Sequence, residues 1–117
     1  MSYLLLIHEP AGQRATRSEA EGRAVYDRML RFGADLKARG LLASGESLND
    51  QRDGVRVQVR SGKTQLVDGP FAEAKEMVGG FFLVDCATRE EAVAIATTCP
   101  AAEWATIEVR GLGPCYA

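Results

Sequence analysis

The 117 residues include 14 Lys and Arg against 16 Asp and Glu, for a net charge of −2, with 46% of positions hydrophobic and 26% charged. A chain of this length has surface to bury for one core and not two, so a single domain over residues 1–117 is expected, and the composition excludes disordered, collagen-like and coiled-coil assignments. Slight acidity removes the broad positive field that phosphate neutralisation requires, so nucleic acid is not an expected partner.

The opening run Tyr3–Ile7 is continuously apolar and stops at His8, Glu9 and Pro10. That predicts a short central strand buried on both faces. The run is too short for a secretory or membrane-spanning segment and has no basic stretch ahead of it, so a cytoplasmic protein without a membrane partner is expected. Ser18 and Glu21 have capping-box spacing, and Val25, Met29, Phe32 and Leu36 follow at helical intervals until Gly40, which predicts an amphipathic helix over about 18–39. Leu41–Leu48 reads as a second strand ending at the turn-forming pair Asn49-Asp50.

Val55, Val57 and Val59 alternate with Arg56, Gln58 and Arg60, the pattern of a half-exposed strand. Ser61-Gly62-Lys63 is a tight turn, and Thr64–Val67 resumes in β-prone residues, so the two segments form a hairpin closed by Asp68-Gly69-Pro70. After a polar connection, Gly79–Cys86 reads as another strand covered on both sides. Thr88 and Glu91 repeat the capping-box spacing ahead of a helix that Pro100 ends, and Trp104–Arg110 makes the last strand.

This order predicts an α+β domain of ferredoxin-like type: an antiparallel sheet with two helices on one face and an extra hairpin. Two helices cover one sheet face only, while the first and Gly79–Cys86 strands are apolar on both. A second copy packed sheet to sheet, giving a homodimeric α/β barrel, is the economical cover. Cys86, Cys99 and Cys115 are odd in number and lack C-x-x-C spacing, and His8 is the sole histidine, so neither a disulfide framework nor a metal site is expected. Gly62-Lys63-Thr64 lacks the earlier glycine and the following helix of a phosphate-binding loop.

Asp68–Gly80 reads DGPFAEAKEMVGG, and with the opening YLLLI, the L-x-x-G-E-x-L pattern at Leu42, Gly45, Glu46 and Leu48, the GGFFLVDC strand and the closing IEVR, the chain resembles the DGPF group of the YCII-related family. The resemblance implies a ferredoxin-like fold, usually a dimeric α/β barrel, in a family whose role is largely unassigned, and it implies no cofactor. Some relatives are thought to use a His and Asp pair with the histidine on the first helix. This chain departs there: its first helix has Tyr26, Asp27 and Asp35 but no histidine. Association of close relatives with alternative sigma factors implies an accessory role in transcription as one reading.

In physical terms Asp68-Gly69-Pro70 is first a chain reversal, with glycine permitting positive φ, proline fixing its own and the Asp carboxylate bonding nearby amides. Its other reading is a rigid turn presenting Asp68, Phe71, Glu73 and Lys75, beside Gly69 and Pro70, at the mouth of a cleft against the partner copy. His8 is either a hydrogen-bonded structural residue or a general acid or base paired with Asp68. Gly79-Gly80 is either a kink where the strand begins or a place where a ligand meets the backbone. Glu46 and Asp85 read as solvated strand ends or as cleft residues, and the stripe Arg52, Arg56, Arg60 and Lys63 as a solvated hairpin face or a grip for an anion, while Met29, Phe32, Met77, Phe81 and Trp104 read as core or interface. Two functions remain open: a cofactor-independent acid/base enzyme on a small carbonyl or carboxylate compound with Asp68 and His8 as the catalytic pair, and a non-catalytic module binding a small-molecule ligand or a protein.

Overall fold

Burial alternates strictly along β1 (Ser2–Pro10) in the computed structural model, which describes residues 1–116. Tyr3, Leu5, Ile7 and Glu9 are buried on one side, and Leu4, Leu6 and His8 are half-buried on the other. The strand is longer at both ends than its apolar run: His8 and Glu9 continue the alternation instead of ending it, one on each face.

The first helix, α1 (Glu19–Ala38), begins in a complete capping box, with Glu21 N–H donating to Ser18 Oγ at 3.1 Å and Ser18 N–H donating to Glu21 Oε1 at 2.9 Å. It ends ahead of Gly40, whose φ of +72° suits the left-handed position there. The next strand is β2 (Leu42–Ser47), followed by β3 (Val55–Arg60) and β4 (Lys63–Asp68), a hairpin turning through Ser61 and Gly62, both at positive φ. β5 spans Glu76–Asp85, α2 Arg89–Thr98 and β6 Thr106–Gly111. β5 begins three residues before the expected Gly79, because Glu76–Val78 pair with His8–Pro10. β6 starts later than expected, because Pro100–Glu103 forms a 3-10 turn that carries the chain past Trp104.

The sheet order is β2-β5-β1-β6 with every pairing antiparallel, and β3-β4 forms a separate two-stranded sheet. Both helices lie on the Leu5 side, and this is the ferredoxin-like arrangement predicted from element order. Leu5, Leu36 and Val84 are fully buried between sheet and helices, each contributing roughly 1.5–3 kcal/mol by leaving water. Phe32 meets Phe82 edge to face at 5.2 Å.

Among the described residues no element covers the opposite sheet face. It presents Leu4, Leu6, Phe81 and Leu83, all half-buried, with Val78 exposed. The β3-β4 hairpin stands away as an arm exposed along both strands. The radius of gyration is accordingly 16.0 Å, against about 13 Å for a compact domain of this length, and the molecule is flat, 46 × 43 × 19 Å. Among the described residues no helix is long and apolar enough to cross a membrane.

Candidate functional site

A carboxylate stands where the pattern of β1 calls for another apolar residue. Glu9 shares a face with Tyr3, Leu5 and Ile7 and is 5% exposed. Burying a charge is costly unless it is paired and hydrogen-bonded, and Arg14, five residues on, supplies both. Its Nε donates to Glu9 Oε1 at 2.9 Å, its Nη2 donates to the same oxygen, and its Nη1 donates to the Leu48 carbonyl at 2.8 Å.

Room for the pair comes from β5. The register of β1 with β5 slips between Ile7, opposite Gly80, and His8, opposite Val78, leaving Gly79 as an extra residue in a bulge. A Cβ on Gly79 would lie 2.1 Å from Glu9 Oε1. The glycine pair is therefore a seat for a carboxylate from β1 as well as a kink.

Above this seat α1 stands off the sheet. Only Phe32 and Leu36, in its C-terminal half, are buried, while Val25 and Met29 are half-buried and Tyr26 and Leu30 are exposed. The gap is a groove of about 540 Å³ running beneath the helix face from Gly22 to Lys37, with Phe82 and Leu42 on its sheet side. At 1.5 Å per residue that face is roughly 20 Å long. Glu9, Arg14, Arg17 and Trp104 line the end near the start of α1. Trp104 carries two guanidinium groups, Arg17 at 5.7 Å and Arg28 at 5.3 Å from the ring centre, and Arg28 is also paired with Glu103. Apolar walls with a few fixed polar groups suit a small organic molecule.

The residues singled out from sequence as catalytic or binding, His8, Asp68, Gly69, Pro70, Phe71, Glu73 and Lys75, lie elsewhere and none of them lines the groove, whereas Gly79, Gly80 and Glu46 do. His8 is on the uncovered sheet face, where its Nε2–H donates to Glu108 Oε1 at 2.7 Å. Asp68 is exposed at the end of β4, opposite Val55. Gly69 does not have positive φ; it is small because Gln51 O would lie 1.9 Å from a Cβ there. Pro70 follows through a cis peptide, Phe71 lies under Arg56 with 3.9 Å from guanidinium carbon to ring centre, and Glu73 is exposed. Lys75, also exposed, accepts a hydrogen bond from Ala11 N–H at its carbonyl. The DGPF turn thus packs on the 3-10 turn Gln51–Asp53 at the base of the arm, and among the described residues His8 bonds Glu108 and not Asp68.

Sequence reading missed Glu9 and Arg14; Met29 and Trp104, expected in the core or interface, pack against the core and line the groove as well. One signal was available: a glutamate in phase with three inward apolar residues needs a cation, and Arg14 is close in sequence. Cys86 and Cys99 are not activated nucleophiles, since burial pushes both thiols above the ordinary range.

The family model for the YCII-related domain matches residues 1–114. A protein of Rhizobium meliloti (strain 1021) named uncharacterized protein R00369 is 53% identical over 36 residues, which are 31% of this chain and 29% of that protein, so the match spans under a third of the relative's length.

Proposed function

The chain belongs to the YCII-related family, and from that premise we propose that it is a small-molecule-binding domain whose site is the groove under α1, working as a homodimer. The observation that carries this reading is the groove itself, about 540 Å³, walled by Met29, Leu42 and Phe82 and ending at a buried, paired carboxylate. A buried ion pair is rarely the most stabilising filling for such a position, so its presence favours a role in shaping a site. Thermal melts against a panel of small amphipathic and aromatic compounds test it. At least one compound should raise the melting temperature, and Ala34→Trp, which fills the groove from the exposed side of α1, should abolish the rise. No shift across the panel, or an undiminished one in Ala34→Trp, would overturn the reading.

His8 supports a second reading, a cofactor-independent acid/base enzyme on a small carbonyl or carboxylate compound. Its imidazole is oriented by the Glu108 carboxylate at 2.7 Å, which leaves Nδ1 as the proton acceptor. Asp68 would be its partner from the DGPF turn. Solvent-proton exchange into small oxo acids should then fall at least a hundredfold in both His8→Ala and Asp68→Asn. Unchanged exchange in either variant removes that residue from the chemistry.

A further inference from the structure

We propose that the groove takes a linear aliphatic carboxylic acid, with its chain along the α1 face between Gly22 and Lys37 and its carboxylate held by Arg17. This rests on the groove being a ligand site.

Charge decides the head group. Five charged residues line the groove: Glu9, Arg14, Arg17, Lys37 and Glu46. Glu9 and Arg14 neutralise each other, and the Arg14 guanidinium is committed further to the Leu48 carbonyl. Glu46 pairs with Phe81 in the sheet register, which turns its side chain to the opposite face and leaves only its backbone toward the groove. Two cations remain, Arg17 and Lys37, and among the described residues neither is in an ion pair. The acids nearest Arg17 in sequence are Glu19, which pairs with Arg23, and Glu21, whose carboxylate is occupied by the capping box with Ser18. A groove whose own charges cancel except for two cations complements an anion.

Shape decides the body, and burial decides which cation binds. The groove follows one helix face over roughly 20 Å, with apolar walls at Val25, Met29 and Phe82, which fits an extended chain better than a compact ring. Arg17 is half-buried and laid over the Trp104 ring, while Lys37 is exposed at the far end. A guanidinium already ordered on an aromatic ring loses little freedom on gripping a carboxylate, and its fork geometry matches one.

Trp104 is the sole tryptophan, so its fluorescence reports occupancy of that end. Octanoate and 1-octanol, matched in chain and differing in head group, are titrated into the wild-type chain and into Arg17→Gln, Arg17→Lys and Lys37→Gln. Octanoate should bind about tenfold more tightly than octanol. That preference should vanish in Arg17→Gln, survive in part in Arg17→Lys and persist in Lys37→Gln. Equal binding of the two compounds, or a preference lost only in Lys37→Gln, overturns the head-group assignment while leaving the groove a ligand site. If neither compound changes the fluorescence or the melting temperature, and the wider panel also fails, the groove is not a ligand site and both readings fall.

Discussion

At residue 79 a hydrogen in place of a methyl is what allows a carboxylate to sit inside the sheet. Any side chain there meets Glu9 Oε1 at 2.1 Å and Arg14 Nη2 at 3.1 Å, two atoms bonded to each other, with Nη2 also donating to the Gly79 carbonyl. Relief requires moving a buried charge off its partner. Gly79→Ala should therefore lose about 2–3 kcal/mol in urea unfolding, although an alanine in an open strand would gain stability. The same substitution in a Glu9→Ala background should cost much less, because the clashing atom is gone. Additive losses in the double variant would show that the carboxylate is not what Gly79 accommodates.

At the scale of elements, α1 is anchored at its two ends by different means. Its C-terminal half is held by burial of Phe32 and Leu36, and its N-terminal half by the cap and by Arg28 with Glu103. Ser18→Ala should cost about 1 kcal/mol in thermal or urea unfolding. The Glu21 carboxyl is held below its ordinary range, chiefly by the backbone N–H of Ser18 and then by its hydroxyl. A lowered folded-state value means that this contribution is present above about pH 4.5 and is lost as the pH falls through the lowered value. The difference in melting temperature between wild type and Glu21→Gln should accordingly shrink below pH 4.5, and a difference that persists at pH 3 would argue against the cap. The Ser18–Glu21 capping box, the Thr88 cap of α2, the Ser61-Gly62 turn and the Gly40 stop were legible in the sequence because each is settled by residues within one turn of one another, although at α2 Glu91 reaches back to Ala87 N–H and not to that of Thr88. The groove was not. It exists because α1 lifts where Val25 and Met29 only half reach the sheet, and that separation is set by Phe32, Phe82 and Trp104, residues far apart in the chain. Glu9 was hidden for a simpler reason: the apolar run before it looked complete at Ile7.

At the scale of the whole molecule, two apolar surfaces lack cover. One is the sheet face of Leu4, Leu6, Phe81 and Leu83; the other is the ridge of the arm, where Val55, Val57 and Val59 share a side with Leu66. Val57 is 59% and Leu66 65% exposed, values that a solitary soluble chain of this size seldom sustains together. The proposed homodimer covers both. Sedimentation at micromolar concentration should give twice the 12.6 kDa chain mass. Val57→Lys with Leu66→Lys should yield monomers that retain the wild-type far-UV circular dichroism. A wild-type monomer under the same conditions would refute the assembly. Gly79 also sets the phase of β5 on either side of it. Its bulge lets Met77 face inward opposite Glu9 and Gly80 face inward opposite Ile7, although they lie an odd number of positions apart. Deleting residue 79 would restore plain alternation with Met77 still inward and Val78 still outward, so the loss would fall on the seat of the carboxylate while the arm kept its bearing. Filling the bulge and removing it are thus separate lesions with one shared victim, the glutamate tucked into it.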